Sequence, residues 1–220
     1  MNHLEELKKL KGLKVSLPWK GYGSAVFFEL GHLSPLEPRQ RHNRGEACIS
    51  FDGNWRVEKD GKIFFGSSDS NVKIDRRVKS LQDTIISSIE IVGEVPELLV
   101  QLSAGYRLTS MSTQAGDPEW SIKFSSGAWL YPQNGVFVFG DGSSELSDEE
   151  AEVFSIAESA ANRWGIPKTD LSKGTCSDCR YFVPLDGNAS LLDYGVCTCA
   201  KSALDGQAIN INSGCQYFNE

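Results

Sequence analysis

Trp55-Arg-Val-Glu58 and Trp120-Ser-Ile-Lys-Phe124 decide the fold: each opens on a tryptophan and then alternates apolar with polar residues. That period of two belongs to a half-buried strand. Around the pair, the 220-residue chain repeats one plan between about residues 10 and 142. The first copy runs LKGL (10–13), AVFFELG (25–31), ACISF (47–51), WRVE (55–58) and KIFFGSSD (62–69). The second runs VKSL (78–81), LLVQLSAG (98–105), WSIKF (120–124) and VFVFGDGSS (136–144). Leu13 with Leu81, Trp55 with Trp120 and Gly66 with Gly140 are the landmarks that align. Asp52-Gly53-Asn54, Lys59-Asp60-Gly61, Ser126-Gly127 and Gln133-Asn134-Gly135 carry the turn chemistry of antiparallel hairpins. The expected fold is mainly β with two short helices. Two similar antiparallel meanders, about 10–75 and 78–144, form a sandwich or open barrel within a β-rich domain of residues 1–144, and the tryptophans serve its core.

The first expected helix spans about His3 to Lys11, where Leu4, Leu7 and Leu10 share a face, and it stops at Gly12. The second is marked by Ser147 as N-cap with Glu150 three residues on, a capping box. Val153, Ile156, Ala157, Ala160 and Trp164 succeed it at helical spacing, and Gly165-Ile166-Pro167 ends the run. This amphipathic helix and its linker, 145–172, connect the β domain to a cysteine-rich tail. Glu149, Glu150 and Glu152 belong to its acidic outer face and are candidate partner contacts.

Five of the six cysteines lie in the final forty-five residues: Cys176, Cys179, Cys197, Cys199 and Cys215. Without an export signal, such clustering points to metal ligation rather than disulfides. Cys176-Ser-Asp-Cys179 puts two thiolates on one tight loop, and two more sulfurs returning from distant turns complete a tetrahedral site of four cysteines. Cys179-Arg-Tyr181-Phe182 and Cys215-Gln-Tyr217-Phe218 share a pattern, so aromatic pairs would wall the site. Tyr194-Gly195-Val196 leads into Cys197 with a glycine suited to a knuckle. The expected ligands in a metal-binding module of residues 173–220 are therefore Cys176, Cys179, Cys197 and Cys215, with Cys199 as the alternative to Cys197. Cys48, alone in a strand-like run, receives no role.

Two resemblances are confined to this module. Cys176-x-x-Cys179, Val183-Pro184-Leu185, Gly195-Val196-Cys197, Asp205-Gly206-Gln207 and Gly214-Cys215 resemble the cysteine module of an uncharacterised family known mainly from actinobacteria, a likeness that implies no activity. The stretch from Gly206 to Cys215, after Cys176-Ser-Asp-Cys179, is similar to high-potential iron–sulfur proteins and implies a [4Fe–4S] cluster held by four cysteines. Zinc is the expected metal and the cluster its alternative.

The charge is uneven. Residues 1–77 hold 14 Lys and Arg against 10 Asp and Glu, whereas 78–220 hold the remaining 8 against 19, giving +4 and −11 of the total −7. An acidic later half favours a protein partner with a basic surface over nucleic acid, whose phosphates need clustered cations. Arg39, Arg41 and Arg44 form the one basic loop, a candidate partner contact. The chain contains no HExxH, GxSxG or phosphate-binding GxxxxGK[ST] motif. The reading is a non-catalytic, cytoplasmic interaction protein with no membrane segment, a bacterial immunity or defence accessory stiffened by zinc. A nucleic-acid-binding zinc knuckle and a redox protein are the alternatives.

Overall fold

The computed structural model describes residues 3–35, 42–113, 119–142, 148–164, 174–185, 191 and 193–219. It divides into two compact units, Met1–Ser143 and Ser144–Glu220. The fold is mainly β, with three antiparallel sheets and no closed barrel among the described residues. Among the described residues, no helix is long and apolar enough to cross a membrane.

The first unit contains helix α1 (His3–Leu10) and strands β1 (Val15–Lys20), β2 (Val26–Leu30), β3 (Ala47–Phe51), β4 (Trp55–Lys59) and β5 (Lys62–Gly66). After these come α2 (Asn71–Val78), β6 (Ile86–Val92), β7 (Glu97–Leu102), β8 (Tyr106–Ser110), β9 (Trp120–Lys123), β10 (Trp129–Gln133) and β11 (Val136–Gly140). One sheet has the order β1-β2-β3-β9-β10-β11 and the other β5-β4-β8-β7-β6. Each half thus builds a three-stranded meander and sends its next two strands across to the other half's sheet. β3 pairs with β9, Phe51 facing Trp120, and β8 pairs with β4, Ser110 facing Trp55.

A pseudo-twofold axis is written in the backbone hydrogen bonds. Lys14 bridges to Ile85, its own equivalent at a shift of 71 (85 − 14). Gly12 N–H donates to Ile86 O and Asp83 N–H to Val15 O. Val15 N–H donates to Thr84 O and Ile86 N–H to Leu13 O. The same shift exchanges the two members of each set. Even the register irregularity of β1, between Val15 and Leu17, recurs in β6 between Ile86 and Ser88. The tryptophans are equivalent too: Trp55 Nε1 donates to Ser24 O at 3.1 Å and Trp120 Nε1 to Pro96 O at 2.9 Å. Both rings lie in one core fed by both sheets, including Phe28, Ile49, Phe51, Phe65, Leu98 and Leu108.

Four expectations are corrected. Among the described residues there are three α-helices rather than two: in the short α2, Ser70 caps the start by accepting from Lys73 N–H, and Ile74 and Val78 bury the inner face. Leu13 and Leu81 are not equivalents: the shift of 71 carries Leu10 onto Leu81, both buried, and the apparent match lies one helical turn away. Gly66 and Gly140 are not equivalents either, since β5 pairs with β4 as β10 pairs with β9, and β11 is an extra strand. Asp52-Gly53-Asn54 is no hairpin but the crossover from β3 to β4 in the opposite sheet. There the buried Glu119 carboxylate accepts from Asn54 N–H at 2.6 Å and Thr113 N–H at 3.2 Å. Hairpin chemistry holds at Asp60-Gly61 and Asn134-Gly135, each pair at positive φ.

In the second unit, α3 (Asp148–Trp164) precedes a three-stranded sheet of β12 (Phe182–Pro184), β13 (Tyr194–Cys197) and β14 (Ala208–Asn210). Ser147, its expected cap, lies outside the described residues. Trp164 meets Tyr194 edge-on at 5.3 Å and Ala157 is buried, while Val153 and Ile156 are exposed.

Because the two indoles occupy equivalent positions, Trp55→Phe and Trp120→Phe are expected to destabilise the full chain to a similar extent. Each leaves a carbonyl without its donor, Pro96 O buried and Ser24 O part-buried, at a cost of about 1–3 kcal/mol. Urea unfolding followed by circular dichroism measures both, and a marked inequality would show that the halves do not share the load.

Candidate metal centre

The second unit gathers its cysteines by backbone turns. Thr175 leads into a short 3-10 turn at Cys176–Asp178, closed when Cys179 N–H donates to Cys176 O at 3.1 Å. Two thiols then share one turn. The two similar sequence patterns adopt the same local bond: Phe182 N–H donates to Cys179 O at 2.9 Å, and Phe218 N–H to Cys215 O at 3.1 Å. Cys176 N–H to Ser213 O, at 2.6 Å, and Arg180 N–H to Asn219 O, at 2.8 Å, tie the two turns side by side. Cys197 ends β13 opposite Phe182 of β12. Cys199 begins a separate turn, closed by Ser202 N–H on its carbonyl at 2.8 Å.

All five sulfurs line one small cavity of about 10 Å³, walled by Tyr181, Phe182, Ile209, Tyr217 and Phe218. Cys176, Cys197 and Cys199 are buried, Cys179 and Cys215 half-buried, and none forms a disulfide. Burial pushes the Cys176 thiol up to about 11, and the negative charge of Cys179, Cys197 and Cys215 adds to the rise. Ser202 Oγ donates to Cys215 Sγ at 3.5 Å. Among the described residues, no three His, Cys, Asp or Glu side chains are already set as a metal site.

Gly195 has a different role from the knuckle expected of it. Its φ is not positive; instead, a Cβ there would lie 2.4 Å from Phe182 Cζ and 2.5 Å from Val183 O. Glycine is needed because the ring that walls the cavity lies flat on β13. Gly195→Ala should therefore push Phe182 off the sheet. Amide exchange in β12–β14 is expected to accelerate while the protection of β1–β11 stays unchanged; unaltered protection in both would remove this role from the glycine.

The expected partner contacts are not brought together. Arg39 and Arg41 lie outside the described residues, as do the side chains of Glu149 and Glu150, while Glu152 is exposed on α3. Arg44 is engaged in the first unit, where its Nη1 donates to Glu29 Oε1 at 3.1 Å; Glu29 is 1% exposed and also accepts from Gly45 N–H. Sequence reasoning missed that the outer face of the β1–β3 sheet sinks into a cavity of about 710 Å³ around this pair. Glu29 in the apolar run AVFFELG was its one available signal.

No curated protein and no solved structure matches the chain. One family model does, over residues 109–220, from the end of β8 through the cysteine module. By that match, the chain belongs to the family described as protein of unknown function (DUF3027).

Proposed function

We propose that the second unit is a structural metal module in which Cys176, Cys179, Cys197 and Cys215 hold one zinc ion, Cys199 being the alternative to Cys197, and that the protein acts non-catalytically through protein contacts. The observation that carries the metal reading is the convergence of five unbridged thiols on one aromatic-walled cavity. Its volume, about 10 Å³, is the room of a single small atom. Four cysteines returning from separate turns suit a tetrahedral zinc site, and the [4Fe–4S] cluster is the alternative.

Energetics point the same way. Strands of three or four residues and a core of cysteines with a few rings bury little apolar surface. A structural zinc supplies an apparent binding free energy of about 10–16 kcal/mol, enough to order such a module. Four thiolates close the tetrahedron and leave no position for water or substrate. The contact role draws on α3, where Val153 and Ile156 are exposed beside the acidic Glu152. A protein with a basic surface suits that helix.

Metal analysis tests the module directly. The purified chain is expected to be colourless with one zinc, and Cys176→Ser or Cys215→Ser to lose the metal. Residues after about 173 should then become protease-sensitive while the β-rich unit still melts cooperatively. Cys199→Ser is expected to keep the zinc. Release by Cys199→Ser but not by Cys197→Ser would exchange those two ligands, and a brown protein with iron and sulfide near four per chain would replace zinc by the cubane.

A further inference from the structure

The chain carries its own control for the cavity in its first unit. The axis that relates the halves pairs each position on the outer face of one sheet with a position on the other. Glu29, Cys48 and Lys123 lie in one cross-strand row, and their equivalents Gln101, Arg107 and Glu58 lie in another. In the second row Gln101 is exposed and Arg107 reaches Glu58 at 4.0 Å, the ordinary solvated face of an antiparallel sheet. In the first row Glu29 is 1% exposed, and the neighbouring Ser50 is 4% exposed. One fold has thus made a flat wet face and a sunken one. At about 710 Å³ the sunken face falls in the size range of small-molecule sites, about 300–1,000 Å³.

The cavity's charges are not equally matched. Arg44 and Gly45 N–H satisfy Glu29. Asp52, at the other end of the floor, accepts only from two neutral hydroxyls, Tyr22 Oη at 3.2 Å and Ser50 Oγ at 3.3 Å. It has no cationic partner among the described residues. Its desolvation, with the Glu119 carboxylate nearby, raises its pKa against the pull of both hydroxyls. Its counterpart across the pseudo-twofold, the residue after β8, is the uncharged Met111. Aromatic surface is at hand: Tyr22, Phe27 and Trp129 line the cavity, and Lys123 already sits 5.5 Å from the Trp129 ring centroid.

We propose that this cavity binds a small organic cation, an amine with a flat apolar body, whose ammonium is taken by Asp52 and whose body lies against the aromatic side chains. A half-buried carboxylate with only neutral donors carries a desolvation cost, and an ammonium offsets that cost as a hydroxyl cannot. An anionic ligand fits less well, because Arg44 is already committed to Glu29 and Lys123 stands exposed at the far end.

Three indoles of nearly one shape test the proposal on the full chain: tryptamine as the cation, tryptophol as the neutral isostere and indole-3-propionate as the anion, each titrated at about pH 7.5 by NMR. Tryptamine is expected to bind about tenfold or more tighter than tryptophol, the difference a charge-assisted hydrogen bond makes. Its shifts should fall on the Tyr22 and Phe27 rings, which lie on the Asp52 side of the floor. Asp52→Asn is expected to reduce tryptamine to the level of tryptophol. Equal affinity for tryptamine and tryptophol, tightest binding of the propionate, or no binding of tryptamine at millimolar concentration overturns the proposal. So does an Asp52→Asn protein that binds tryptamine as well as the parent. The comparison of the three ligands uses the unmutated protein, so it decides the matter even if the variant does not fold.

Discussion

The exchange of strands between halves is the constraint on which the first unit rests. β4 and β5 complete a sheet begun by β6–β8, and β9 and β10 complete one begun by β1–β3. Neither half can satisfy its own edge. The β3 backbone needs β9, about seventy residues on, and β8 needs β4. The tryptophans stand at the exchange points, each opening the strand that crosses over and each tied to the β-turn of a different meander. Loop closure over such separations is costly and slow, so the apolar area of two buried indoles goes where the chain pays most in ordering.

The second unit solves a different problem. Its sheet strands are three or four residues long, and its buried core consists chiefly of sulfur and aromatic carbon. Backbone turns set the thiols: the bond from Phe182 N–H to Cys179 O and its repeat from Phe218 N–H to Cys215 O aim two sulfurs and two rings into the same space. A reduced cluster of this kind holds several ionisable thiols near one another, which costs free energy as each loses its proton. The proposed zinc ion would remove that cost and cross-link the turns.

Much of this was legible in the sequence, and the errors have physical causes. Alternation after Trp55 and Trp120 reveals the strands because one face of each is buried. The tight turns at Asp60-Gly61 and Asn134-Gly135 are legible because left-handed backbone selects those residues. The repeat reads one helical turn out of phase since Leu7, Leu10 and Leu13 recur at a spacing of three, and such a pattern slides onto itself. α2 is short enough to be missed: only Ile74 and Val78 of its eight residues are apolar and buried, and its other mark is a serine cap. Asp52-Gly53-Asn54 has hairpin grammar, but Glu119, sixty-five residues from Asn54, captures the amide there and turns the chain into the other sheet. No local pattern encodes that partner.

The same crossover joins the architecture to the cavity. Gly53 is required because a Cβ would lie 1.4 Å from Glu119 Oε2, so the carboxylate passes directly over the turn. Glu119 therefore holds the point where β3 leaves its sheet, and from there its charge also acts on Asp52, one residue before that glycine. A neutral side chain in place of Glu119 would relieve Asp52 but would leave the amides of Asn54 and Thr113 without their acceptor. The second crossover, from β8 to β9, uses Glu97, which accepts from Ser112 N–H at 2.6 Å. Two carboxylates thus serve the two turns, and Asp52, beside the first of them, lines the cavity. A fold that needs an acid at its crossover places negative charge at the end of a sunken sheet face, and the unmatched aspartate there follows from the topology as much as from the side chains lining the cavity.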